Sequence, residues 1–165
     1  MTRSRPSRAL RCFFRAPVHL YRCNCGWMLG HRFLMLVHIG RRTGLRRYTV
    51  LEIMEYRREG PELIVMSAFG RKADWLRNIE AVPNFEVVVG AYRFAAAYRV
   101  LDTDEAIKVI AGYERRNQLA GPIIRAVLSR LLGWRYDGSE SARHRLAEQR
   151  PLVAFRPLCA QPFIR

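Results

Sequence analysis

FLMLVHI at residues 33–39, GRRTG at 40–44 and RRYTVLEIMEY at 46–56 decide the fold class. The first segment is a short apolar run bounded by charge and glycine, which predicts a strand. The third is rich in Tyr, Val, Ile and Thr, residues that suit a pleated, half-buried surface, and predicts a second strand. Gly40 to Gly44 is the loop between them. Working outward, Arg57 to Pro61 reads as a turn and Glu62 to Ala68 as a third strand. Asp74 is placed to cap a helix through Trp75, Leu76 and Ile79 to about Val82, and Pro83-Asn84 ends it. Phe85 to Val89 and Tyr92 to Leu101 flank Gly90-Ala91, a two-residue hairpin signal of the type II′ kind. Asp102 with Glu105 resembles a capping box that opens a helix to about Asn117. Gly121-Pro122 starts another, with Ile123, Ile124, Val127, Leu128, Leu131 and Leu132 as its apolar stripe and Gly133 as its stop. Ser139 to Arg150 is a short polar helix and Leu152 to Phe155 a last strand. Upstream, Pro17 opens a helix over Val18 to Trp27.

The strands cluster in antiparallel hairpins without a repeating βα alternation. This argues for an α+β domain around an antiparallel sheet or barrel and against a Rossmann fold. The expected organisation is a basic N-terminal arm over 1–16, one domain over 17–158 and a tail over 159–165.

The chain has 165 residues, enough for one domain with a real core, and carries a net charge of +15. Only Lys72 and Lys108 among its 29 basic residues are lysine. Arginine in place of lysine fits either GC-rich codon bias, which takes the larger share, or a surface selected for phosphate or carboxylate; codon bias does not explain the excess of positive over negative charge. That excess calls for an anionic partner: nucleic acid, anionic lipid or a polyanionic cofactor. Cys12, Cys23, Cys25 and Cys159 lack zinc-ligand spacing and read as free thiols of a reducing compartment. His19, His31, His38 and His144 form no metal-spaced cluster. The longest apolar run, Phe33 to Ile39, is far below a membrane span, and the first 30 residues lack a signal peptide's apolar core. The expected location is cytoplasmic. Arg3, Arg5, Arg8, Arg11 and Arg15 interleave with Leu10, Phe13 and Phe14, a pattern suited to peripheral contact with anionic lipid at the inner face of the membrane.

Four arginines, Arg41, Arg42, Arg46 and Arg47, crowd the loop between the first two strands. Gly40 and Gly44 allow a tight turn and close approach to a ligand, Thr43 adds a hydroxyl, and successive backbone N–H groups can form an anion nest. This is chemistry for a phosphate or several carboxylates, although a solvated basic hairpin has the same composition. P-loop spacing is absent, and no nucleic-acid-binding signature accompanies the loop. A second constellation, Ser67-Ala68-Phe69-Gly70-Arg71-Lys72-Ala73-Asp74-Trp75-Leu76-Arg77-Asn78, joins a strand to a helix N-terminus, which suits an anionic or carbonyl-rich ligand edge. Trp75 can wall a planar ring or simply pack in the core. Asn78 can be a buried side chain bonded to backbone.

Taken together, Gly-Arg-Arg-Thr-Gly-x-x-Arg, then Ser-x-x-Gly-x-x-x-Asp-Trp-x-x-Asn-Ile, then Pro-Asn-Phe-Glu-Val-x-Val-Gly resemble the deazaflavin-dependent nitroreductase family of actinobacteria. The resemblance runs from about Pro17 to Pro157. It implies a split β-barrel similar to FMN-binding oxidoreductases. It also implies coenzyme F-420, a 5-deazaflavin with a phosphate and an oligoglutamate tail. By position it assigns Arg41, Arg42, Thr43, Gly44 and Arg47 to the cofactor tail. Thr49, Val50, Ser67, Ala68 and Trp75 are assigned to the ring, with Asn78 behind it. Ala68 and Leu76 depart from the family pattern, so cofactor binding carries over better than nitroreduction.

The expected activity is hydride transfer from reduced F-420 to an electron-poor small molecule of nitro, quinone or enone type. Tyr113 and Tyr136 are the candidate proton donors, with bulk water as an alternative. No metal and no nucleic acid are expected. The alternatives are an FMN enzyme on the same barrel, and a non-catalytic basic module that binds RNA or anionic lipid. Replacing Arg41 and Arg47 is expected to weaken cofactor binding without unfolding the protein, because exposed loop arginines contribute little to stability.

Overall fold

The computed structural model describes residues 32–159. The expected arm and the helix over 18–27 lie outside them, as do Cys12, Cys23, Cys25, His19, His31 and most of the tail. Six strands form a closed antiparallel barrel in the order β1-β2-β3-β6-β5-β4. They are β1 (Phe33–Ile39), β2 (Arg46–Arg57), β3 (Glu62–Met66), β4 (Glu86–Val89), β5 (Tyr92–Val100) and β6 (Leu152–Pro157). The α-helices among the described residues are α1 (Asp74–Ala81), α2 (Thr103–Arg116), α3 (Gly121–Leu132) and α4 (Glu140–Gln149). The expected α+β class and antiparallel barrel are what the chain forms.

Strand side chains alternate between faces, and the alternation sorts the core into separate clusters. Leu34 and Leu36 of β1 point into the barrel beside Leu63, Val65, Val87, Val153 and Phe155. Met35 and Val37 form a separate cluster on the other face. Phe155 is the hub of the interior, edge-on to Phe85 at 5.7 Å and tilted against Trp75 at 6.2 Å between ring centroids. Full burial of such a ring contributes about 1.5–3 kcal/mol. Helix α1 joins the interior cluster through Trp75, Leu76 and Ile79. The outer faces of β3 and β6, through Ile64, Leu152 and Ala154, pack instead on Val109 and Ile110 of α2 and on Leu146 and Ala147 of α4.

Local chemistry sets the element ends. Val89 pairs with Tyr92, so Gly90-Ala91 is the expected two-residue loop, with Gly90 at φ 57°. The Asp102 carboxylate accepts from the Glu105 N–H at 2.8 Å. The reciprocal half of the expected capping box is replaced, because the Glu105 carboxylate pairs with Arg99 and Arg57. Those guanidiniums hold the Glu105 carboxyl down to about 2. Gly133, at φ 75°, stops α3 as expected. Asp74 does not cap α1: Ala73 holds the cap position and Asp74 is the first helical residue. Its carboxylate is engaged by an arginine of the β1–β2 loop.

Candidate functional site

His38, at the end of β1, is 3% exposed. It sits between two elements: its Nδ1 is 3.2 Å from the Asn78 Nδ2 of α1, and its Nε2 is 3.2 Å from the Thr49 Oγ1 of β2. Burial, more than any neighbouring charge, lowers its pKa to about 4, so the ring is neutral at physiological pH. Asn78 is fixed in turn by Arg41. Its Oδ1 accepts from the Arg41 backbone N–H at 3.2 Å and from the Arg41 Nη1 at 2.8 Å. The Arg41 Nη2 also meets the Asp74 carboxylate at 3.0 Å. Arg41 is therefore a clasp that ties the loop to α1, with its side chain only 18% exposed. The expectation that it is an exposed loop residue contributing little to stability is corrected by these contacts.

The remainder of the loop follows a different logic. Gly40 donates to the Leu45 carbonyl, while Thr43 and Gly44 both donate to the Gly40 carbonyl. Leu45 N–H reaches the Thr43 hydroxyl at 3.4 Å. The expected anion nest is thus not available, since most loop N–H groups are bonded within the protein. A Cβ on Gly40 would lie 2.8 Å from Thr43 Oγ1, so this glycine serves the turn itself. Arg42, Arg46 and Arg47 are exposed. Among the described residues they have no acidic partner. Among the described residues, no carboxylate competes with an anion for these three guanidinium forks.

Beside the loop the barrel is split. β2 pairs with β1 along Arg46 to Glu52, but with β3 only from Ile53 onward, with a register shift between Ile53 and Glu55. The edge of β2 facing away from β1 over Thr49 to Glu52 therefore has no strand partner among the described residues. A groove of about 450 Å³ opens along that edge. Thr49, Val50, Ala68, Phe69 and Trp75 line it on the barrel side, Ile110 and Tyr113 come from α2, and Ile123, Ile124, Val127, Leu128 and Leu131 come from α3. The stripe on α3 has the look of a core stripe, yet no residue of α3 is buried. Ile123 and Val127 are 69% and 52% exposed. The helix forms a wall of the groove.

The expected site residues divide accordingly. Thr49, Val50, Ala68 and Trp75 meet at the groove, with Asn78 behind them at the barrel end. Ser67 does not line it: fully buried, its hydroxyl donates to the Gly70 carbonyl at 2.8 Å and holds the turn before α1. Tyr113 lines the groove and donates to the Glu52 carboxylate at 2.8 Å. Burial, then that carboxylate, pushes its hydroxyl up to about 12, so it keeps its proton. Arg32 binds the same carboxylate. Tyr136 is buried in the helical layer, its hydroxyl donating to Glu114 at 2.6 Å, with Arg143 on the other carboxylate oxygen. It borders a different depression with Arg125 and Asp137. Sequence reasoning missed His38 and Phe69; the burial of a lone histidine on an apolar strand is the signal that was there to use. Among the described residues no cluster of His, Cys, Asp or Glu is placed to hold a metal, and no helix is long and apolar enough to cross a membrane.

Comparison with known proteins gives one family and several distant structural likenesses. The family model described as F420H(2)-dependent quinone reductase matches residues 13–118. No curated protein matches. Among solved structures, an F420-H2-dependent reductase called FDR-A is 16% identical, with 77% of this chain and 96% of that one covered at a TM-score of 0.49. The conserved hypothetical protein Rv2991 of Mycobacterium tuberculosis is 15% identical, with 96% and 87% covered at a TM-score of 0.46. A pyridoxamine 5'-phosphate oxidase-related, FMN-binding protein of Nostoc punctiforme is 13% identical, with 93% and 81% covered at 0.43. The family model names quinone reduction where the motifs resembled nitroreductases, and the two readings share the cofactor. With a match across well over half of its length, this chain belongs to the F420H(2)-dependent quinone reductase family.

Proposed function

We propose that the groove takes the deazaflavin ring of reduced F-420, and that the chain reduces an apolar, electron-poor acceptor of quinone, nitro or enone type. One observation carries this reading: an apolar slot is lined by Tyr48 and Thr49, next in sequence to Arg46 and Arg47, on a loop whose Arg42, Arg46 and Arg47 have no acidic partner among the described residues. The donor set fits the group. Apolar walls suit a planar ring, the strand edge over Thr49 to Glu52, unpaired among the described residues, offers N–H and C=O partners to its polar rim, and guanidinium forks suit phosphate and carboxylates. A neutral or single-phosphate ligand would leave such a charge excess unused. When bound, the cofactor supplies a hydride and is poor at one-electron chemistry.

The chain's own residues do the rest. Arg42, Arg46 and Arg47 hold the anionic tail, and Arg41 sets their loop against α1. Val50, Ala68 and Trp75 wall the ring. The apolar face of α3 excludes water from the acceptor side and selects lipophilic acceptors, because Ile124, Val127 and Leu128 offer no polar partner. Tyr113 holds a proton at the groove wall and can deliver it to reduced product once it turns from Glu52; Tyr136 serves to fix Glu114. The experiment is stopped-flow oxidation of reduced F-420 by the full chain with a quinone, a nitroarene and an enone in parallel. Turnover with a lipophilic quinone or another of these acceptors is expected. Failure with all three, despite tight cofactor binding, would overturn the acceptor assignment.

A further inference from the structure

Arg41 sets the direction of the hydrogen-bond chain at the barrel end. Asn78 Oδ1 receives two donors from Arg41, at 3.2 and 2.8 Å. The amide must therefore turn its N–H toward His38, since the flipped amide would set donors against donors. The Asn78 Nδ2 then donates to the His38 Nδ1 at 3.2 Å. A neutral imidazole whose Nδ1 accepts carries its proton on Nε2. That Nε2 lies 3.2 Å from Thr49 Oγ1, which must accept. A hydroxyl that accepts from the ring keeps its own hydrogen for another acceptor. Thr49 lines the groove, and its side chain has no other hydrogen bond among the described residues.

We infer that His38 is a positioning residue, which makes the Thr49 hydroxyl a committed donor to an acceptor atom on the rim of the bound ring, a carbonyl oxygen or ring nitrogen. The inference rests on the reading of the groove as the ring site. The direction of the chain starts outside the groove, at Arg41, so the tail-side loop and the ring-side donor are parts of one network. A hydroxyl free to rotate would accept or donate indifferently; this one discriminates for ligands that present an acceptor at that point and against those that present an N–H.

The charged groups around the ring are Arg47 on β2, which opposes a proton on it, and Asp74 on α1, which favours one. Burial outweighs both and keeps the ring neutral. The Ile39 backbone also bonds the ring and favours a proton on it, so it is the competing acceptor: a ring that gave it a proton from Nδ1 could not accept from Asn78.

Two measurements test the inference on the full chain. Long-range ¹H–¹⁵N correlation of the histidine rings, without any ligand, reads the tautomer directly. A neutral His38 protonated at Nε2 is expected. A ring protonated at Nδ1, or a cation at pH 6, overturns the proposed direction. The second is F-420 affinity in a double-mutant cycle. Thr49→Val is expected to weaken binding about threefold to tenfold, as for loss of one neutral hydrogen bond, while Thr49→Ser binds like the parent. His38→Phe should lose as much as Thr49→Val, with little further loss in the double variant. His38→Gln, which can accept from Asn78 and donate to Thr49, should recover part of it. Losses that add, or a Thr49→Val protein that binds like the parent, would overturn the inference while leaving the groove assignment standing. A parent that binds no F-420 would overturn the groove assignment and the ring-side donor with it.

Discussion

Arg41 and Arg47 lie six positions apart in one basic loop, and replacing each by alanine should have opposite consequences. Arg41 gives a charged hydrogen bond to Asn78 at 2.8 Å and an ion pair to Asp74, whose side chain is 84% exposed. The exposed pair is worth about 0–1 kcal/mol, and a hydrogen bond from a charged group about 1.5–3 kcal/mol. The backbone bond from Arg41 to Asn78 survives the substitution, so a loss of about 2 kcal/mol is expected. For a chain of this size, each kcal/mol moves the midpoint by about 2–4 °C, which places Arg41→Ala roughly 4–8 °C below the parent. Arg47 has no such partners, and its loss should stay within about 0.5 kcal/mol. If Arg47 instead grips the cofactor tail, Arg47→Ala should bind F-420 about tenfold to a hundredfold more weakly. That deficit should shrink at high salt. Melting by circular dichroism and titration by tryptophan fluorescence, at low and high salt, separate the two. An Arg41→Ala protein that melts like the parent would refute the clasp. An Arg47→Ala protein that binds F-420 like the parent would reduce the loop to a basic hairpin.

Filling the groove from its barrel side with Ala68→Trp should abolish F-420 binding with a midpoint within a few degrees of the parent, as measured by the same titration and melt. Tyr113→Phe should leave F-420 affinity within about twofold and lower turnover about tenfold or more, since positioned general acids contribute 10²–10⁴-fold; unchanged single-turnover kinetics would assign the proton to water. Stability should also depend on His38. The unfolded ring titrates near 6.5 and the native one near 4. Below pH 6.5 the unfolded chain therefore binds a proton that the native ring refuses. Stability from this residue is full above that pH, falls as pH drops, and levels off below about 4, a change of up to about 3 kcal/mol. Urea unfolding of the parent and His38→Gln across pH 4 to 7 should show a shallower slope in the variant.

The elements that the sequence made legible are those whose signals are local. Gly90-Ala91 between alternating strands, Asp102 ahead of α2 and Gly133 after α3 each specify a turn or a helix end through their own backbone chemistry. What stayed illegible depends on partners far along the chain. Arg41 reads like its neighbours until α1 is packed beside it, 33 residues away at Asp74. Ser67 looks like a ligand residue, but its hydroxyl is spent on Gly70. The stripe on α3 has the spacing of a core helix, and only the departure of β2 from β3 turns it into the wall of a cavity. His38 carries no motif, and its part emerges only when Asn78 and Thr49 arrive from two different elements.

The most direct test of the central claim is titration of the full chain with F-420 and, separately, with FMN, following the fluorescence of Trp75. That side chain is 7% exposed and borders the groove, so an occupant should alter its emission. A Trp75→Phe control separates its signal from those of Trp27 and Trp134. The account predicts saturable binding of F-420 that is tighter than that of FMN and weakened by salt, because only F-420 brings carboxylates as well as a phosphate to Arg42, Arg46 and Arg47. Equal or tighter binding of FMN, or no response to F-420, would contradict it.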